Sequence, residues 1–184
     1  PVIDETLRDG EAKMSHALAH LQSEFSTVRT GRANPAIMHR VTVDYYGAPT
    51  PLQQLASFSV PEARLLLVHP YDRSTIGTIE RAILASELGL NPSNDGTVIR
   101  LAFPPLTEER RKELIRLVRH MAEEARVAVR NVRRHVKKEM EALEGEVSTN
   151  DIERAEKELE DVTHRHVARV DELLAHKEAE LLEV

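Results

Sequence analysis

Arg126, Arg130 and Arg133 follow one another at spacings of four and three, so a helix sets their guanidinium groups on one face. Arg134 and Lys137 widen that face. Such a face can capture a polyanion, because each guanidinium presents a planar fork of donors that fits phosphate oxygens and stays charged at any working pH. The charge is also concentrated along the chain. Residues 110–138 hold eleven Lys or Arg against three acids, whereas residues 139–184 hold five against fifteen, so a net charge of −6 conceals a strongly basic stretch beside an acidic one. Eight of the eleven cations are Arg, which favours phosphate as the ligand over a diffuse negative surface. The plainer alternative is a solvated face paired with the Glu-rich segment that follows. Few acids stand at the i+4 positions that would neutralise the arginines within their own helix.

Other constellations carry less. Arg29 and Arg32 flank a helix end; Arg29 suits the negative pole of a helix dipole, while Arg32 lies beyond it and is a second candidate for phosphate contact. His16 and His20 share the i, i+4 spacing of metal ligands, yet the acid of a His-Glu-x-x-His site and a third ligand are both missing, so no metal is expected. His69 and Asp72 could be read as an acid–base pair, but each more simply ends a strand or caps a turn. With no cysteine there is no thiolate chemistry or disulfide. No glycine-rich phosphate loop or serine nucleophile motif occurs, so neither catalysis nor a cofactor is expected. Three Phe, three Tyr and no Trp make base stacking a weak option and backbone recognition the better one.

Three long amphipathic segments must position these residues. From Asp4 to Arg29 the apolar residues Leu7, Met14, Leu18, Leu21, Phe25 and Val28 form one helical stripe, ended by Gly31 and Pro35. From Thr107, whose hydroxyl can cap, Leu114, Val118, Met121, Ala125, Val129, Val132, Val136, Met140 and Leu143 form a second, broken at Gly145. Ser148-Thr149-Asn150-Asp151 caps a third, with Ile152, Ala155, Leu159, Val162, Val170, Leu174 and Leu181. Between the first and second the period changes. Strands are expected near Val41–Tyr45, Phe58–Val60, Leu65–Val68 and Val98–Phe103. Tyr46–Pro51 and Asn91–Gly96 read as turns, and Ser74 to Leu88 as a helix with Ile76, Ile79, Ile83 and Leu84 inward.

The economical fold is α+β: an elongated antiparallel three-helix bundle from residues 1–30 and 106–184, with a smaller β-rich α/β domain of residues 31–105 inserted. Two strands of chain would join the domains, so Thr30, Gly31 and Ala33 on one and Pro104 and Pro105 on the other make a hinge, and the molecule should be bent. At 184 residues, 41 % hydrophobic and 30 % charged, the chain can bury a core and is not disordered throughout. No apolar run approaches the roughly 20 residues that span a bilayer. The acidic opening Pro1-Val2-Ile3-Asp4-Glu5 lacks the basic and apolar regions of a signal peptide, so the cytoplasm is the expected location.

Several motifs in this order carry a resemblance. They are Arg29-Thr30-Gly31-Arg32-Ala33, Asp44-Tyr45-Tyr46-Gly47, Pro49-Thr50-Pro51-Leu52, Leu88-Gly89-Leu90-Asn91-Pro92, Pro105-Leu106-Thr107-Glu108-Glu109-Arg110-Arg111, the arginine helix from Ala125 to Arg134, and His176-Lys177-Glu178-Ala179-Glu180-Leu181. With them the chain resembles the ribosome recycling factor family over nearly its full length. The resemblance implies an L-shaped, monomeric bacterial protein of transfer-RNA-like dimensions and no enzymatic activity of its own. It implies binding to the ribosome after termination and, with elongation factor G and GTP hydrolysis on that partner, separation of the subunits with release of mRNA and tRNA. It implies that the bundle meets large-subunit rRNA through Arg29, Arg32, Arg126, Arg130 and Arg133, with Arg134 on the same face. Two other classes stay open on the residues alone: a helical adaptor whose apolar seam meets a protein partner, and a general duplex-RNA binder.

Overall fold

The structure is a computed structural model that describes residues 2–183. Two compact units divide between Arg29 and Thr30 and again between Leu106 and Thr107. The first contains α1 (Val2–Ser26), α3 (Glu108–Glu141) and α4 (Thr149–Leu182), each packed on the other two. The second contains β1 (Thr42–Tyr45), β2 (Ala48–Pro51), β3 (Ala56–Glu62), β4 (Leu65–Pro70), α2 (Ile76–Ala85), β5 (Pro92–Asn94) and β6 (Ile99–Ala102).

In the helical unit the caps stand where the sequence places them. Thr107 accepts a hydrogen bond from the Arg110 N–H, and Ser148 accepts one from the Asp151 N–H. Each supplies a partner to a backbone donor that the first turn leaves orphaned. α3 and α4 have 34 residues apiece, which makes each a rod of about 50 Å. Gly145, at φ +87°, lies in the turn between them. α1 ends at Ser26 rather than at Arg29, because the Thr27 and Val28 N–H groups bond back three residues, to Glu24 and Phe25, and tighten the last turn.

The buried stripe of α1 is Ile3, Leu7, Gly10, Met14, Leu21 and Phe25. Gly10 has a packing reason. A Cβ built on it would stand 2.5 Å from Val136 Cγ2 of α3, well inside van der Waals contact. The glycine therefore lets α1 approach α3, and Val136 fills the space that a side chain would take. Around this contact Ile3, Leu7, Met14, Val129, Met140, Ile152 and Leu159 form one core.

The second unit is a four-stranded antiparallel sheet of order β3-β4-β6-β5, a separate β1–β2 hairpin, and α2. Alternation sets its core. Leu66 and Val68 face inward on β4, opposite Leu101 and Ile99 of β6, while Arg100 and Ala102 face out. Ile79 and Ile83 of α2 join the same core.

Three expectations need correction here. Tyr46–Pro51 is not all turn: only Tyr46 and Gly47, both at positive φ, form a two-residue loop, and Ala48–Pro51 pairs with β1. A two-stranded hairpin leaves open edges on which Pro49 and Pro51 need no ladder donor. Pro92–Asn94 is likewise an edge strand, paired with β6. The α2 helix spans Ile76–Ala85 only, preceded by a 3-10 turn that Asp72, not Ser74, caps. Leu84 stands 62 % exposed, because Ile79 and Ile83 already define the inward face and the next residue is turned about 100° away from it. The Ser74 hydroxyl, followed by its N–H, donates to the Asp72 carboxylate and holds that group below its ordinary pKa of 3.8.

At the edge of this unit the two connecting strands of chain lie side by side. Gly31 has φ +78°, and a Cβ there would stand 3.4 Å from Leu106 N and 3.8 Å from Pro104 O.

Gly10→Ala should lower stability by about 1–3 kcal/mol, since the added methyl overpacks against Val136. Paired with Val136→Ala it should recover part of that loss. Urea unfolding of the two single variants and the double variant measures both effects.

Candidate nucleic-acid interface

The basic face of α3 is built by its own heptad-like stripe. Ala125, Val129 and Val136 are buried toward the other helices, so Arg126, Arg130 and Arg133 emerge at the flank of the α3–α4 contact. Arg130, Arg133 and Arg134 line a groove of about 290 Å³ with Glu160, Thr163, His164 and Val167 of α4. A groove of that size, open on one side and rimmed by three guanidiniums, accepts a phosphate and its flanking sugar more readily than a base stack.

The arginines are not equivalent. Arg126 is the most enclosed, with its side chain 18 % exposed. Its Nε donates to one carboxylate oxygen of Asp171 at 2.8 Å, its Nη2 stands 2.6 Å from the same oxygen as an ion pair, and its Nη1 donates to Glu123 at 3.0 Å. Burial works against its charge but is outweighed by the hydrogen bonds to Asp171 and Glu123, so the cation is held more firmly than in water. Arg133 donates through Nη1 alone to Glu160, at 3.1 Å. Arg130 is half exposed, and its Nη1 stands 3.9 Å from Glu123, beyond hydrogen-bond range. Arg134 bonds to Asn131 of its own helix.

The acidic third helix therefore does pair with part of the basic face. Arg133–Glu160, Arg126–Asp171 and Arg119–Glu178, the last at 2.5 Å, step outward in order from the Gly145 turn. The partners Glu160 and Asp171 and the groove residues Thr163 and His164 were not evident as site residues in the sequence. Their signal was available in principle: two antiparallel helices joined by a short turn bring residues equally far from it to the same level. Arg29, an exposed residue after α1, belongs to the helical unit and lies toward the Thr107 end. Arg32, also exposed, belongs to the other unit and is not part of the groove.

Of the remaining candidates, His20, His69 and Asp72 have structural partners. His20 stands 3.0 Å from Glu24 on the same helix, and His69 hydrogen-bonds Ser59 across the sheet at 2.9 Å. Among the described residues no three His, Asp or Glu side chains gather as a metal site. Among them, too, no helix is long and apolar enough to cross a membrane.

This grading gives a stability test. Arg126→Ala should destabilise the bundle by about 1 kcal/mol through lost packing and lost bridges. Arg130→Ala should stay within about 0.5 kcal/mol of the parent. Urea midpoints measured side by side decide between this grading and equal roles.

The ribosome recycling factor family model matches residues 21–182. The ribosome-recycling factors of Acidothermus cellulolyticus and Saccharopolyspora erythraea are each 57 % identical to this chain, with both partners covered over 100 % of their length. A solution structure of the ribosome recycling factor superposes with a TM-score of 0.80 at 38 % identity, covering 100 % of this chain and 99 % of that one. Models of the T. thermophilus ribosome recycling factor and the E. coli elongation factor G bound to the E. coli post-termination complex provide a further match, at TM-score 0.65 and 42 % identity over 98 % of this chain and 99 % of that chain. Matched by the family model over residues 21–182 and by these relatives over its full length, the chain belongs to the ribosome recycling factor family.

Proposed function

We propose that this protein binds the post-termination ribosome through large-subunit rRNA and, together with elongation factor G and GTP hydrolysis on that partner, separates the subunits so that mRNA and tRNA are released. It acts as a cytoplasmic, monomeric translation factor and catalyses no reaction itself. The observation that carries this reading is the α3–α4 groove, where Arg130, Arg133 and Arg134 present phosphate donors in a chain of this family. A relative 42 % identical to this chain is placed on a post-termination complex with elongation factor G, which supports the same pair of partners.

The mechanics follow from the two units. The helical unit anchors on rRNA through Arg130, Arg133 and Arg134, with Arg29, Arg32 and Arg126 contributing around them. The sheet unit swings on Thr30, Gly31, Ala33, Pro104 and Pro105. Gly31 suits a hinge because its positive φ is open to glycine and strained for other residues. Force from elongation factor G on the sheet unit or the hinge then reaches the subunit boundary while the bundle holds its place.

Arg130→Ala should weaken binding to isolated large subunits by about tenfold, one charge-assisted contact being worth on the order of 1–3 kcal/mol. The dependence of log K on log salt should become shallower by about one, since one phosphate neutralisation is lost. Sedimentation of parent and variant with large subunits, small subunits and unrelated structured RNA measures this. Undiminished binding of the variant, or parent binding without preference for large subunits, contradicts the reading.

A further inference from the structure

We infer that Glu160 is a specificity-determining residue of the α3–α4 groove: it masks Arg133 from RNA that does not seat a phosphate there, and gives way to RNA that does. This rests on the reading of the groove as an RNA-backbone site. Glu160 holds Arg133 through one nitrogen, Nη1, at 3.1 Å, and its own side chain is 59 % exposed. The contrast with Arg126 is informative, since there Asp171 takes two nitrogens and Glu123 a third on a side chain that is largely enclosed. The first arrangement can open; the second is a clamp that fixes α3 on α4.

Glu160 also stands where two grooves meet. On one side are Arg130, Arg133, Arg134 and His164, and on the other are Lys137 and Lys157 together with Glu153 and Glu156. A phosphate entering the first groove can take the guanidinium of Arg133 once the single contact to Glu160 opens, and the exposed carboxylate is then left to solvent. RNA that lies across the basic face without entering the groove meets Arg133 with its charge neutralised by Glu160, and gains nothing from that guanidinium. A mask of this kind lowers the affinity of wrong partners more than that of the right one.

The test compares the parent, Glu160→Gln and Glu172→Gln. Glu172 is a matched control, because it loses the same charge from α4 but pairs with Arg169 and lines neither groove. Binding to an unrelated RNA duplex and to isolated large subunits is measured at several salt concentrations. Glu160→Gln should tighten duplex binding by about two- to fivefold, the range set by an exposed ion pair, and steepen its salt dependence. Large-subunit binding should tighten less, so the preference for subunits falls, while Glu172→Gln stays near the parent. In an Arg133→Ala background the effect of Glu160→Gln should vanish. Equal effects of the two glutamine variants, or an effect that survives Arg133→Ala, overturn the inference. The comparison on duplex RNA is read whether or not the parent prefers large subunits, so failure of the functional reading is seen separately.

Discussion

None of the three long helices can shelter its apolar stripe alone, and their mutual burial is the constraint on which the rest depends. Each buried Leu, Ile, Val or Met contributes on the order of 1.5–3 kcal/mol when removed from water. α1 comes from one end of the chain, and α3 and α4 from the other. Within the sheet unit the two connecting segments lie side by side at Gly31 and Leu106. The close approach at Gly10 and Val136 helps fix how α1 sits on α3. The short turn at Gly145 fixes α4 against α3, and that register alone decides which acids face the arginines.

The register produces a gradient along one helix face. Arg126 is nearly used up by Asp171 and Glu123, Arg133 is tethered at one nitrogen, and Arg130 is half exposed with its carboxylate out of hydrogen-bond reach. Enclosure and exposure are thus divided among residues that look alike in sequence. An enclosed guanidinium with two carboxylates lends stability and specificity of packing. An exposed one with none within bonding distance is available to a phosphate.

Much of this was legible in advance. Thr107 and Ser148 announce their helices because a side-chain oxygen three residues before a free N–H is a local signal, and the stripes on α3 and α4 repeat often enough to survive single exceptions. The fold class, three helices with an inserted sheet unit, follows from those stripes. The misread parts are those in which tertiary pairing outweighs local preference. Ala48–Pro51 and Pro92–Asn94 look like turns because proline is rare in strands, and only their edge positions permit it. Gly10 reads as a flaw in a helix until Val136 is seen to fill its place. For the site, the arginines are visible by spacing, but Glu160, Asp171 and His164 are distant in sequence and become partners only through the antiparallel register. Leu84 fails for a simpler reason, since a single apolar residue beside a two-residue inward face carries no periodicity of its own.

On the proposed reading, this protein meets RNA at the α3–α4 groove. A reconstruction of the protein bound to the large ribosomal subunit tests it most directly. The account expects the groove to face rRNA, with a backbone phosphate about 2.8 Å from the Arg130 guanidinium. A complex in which that face is turned to solvent, with the bundle held instead through its apolar seam or through the sheet unit alone, would contradict it.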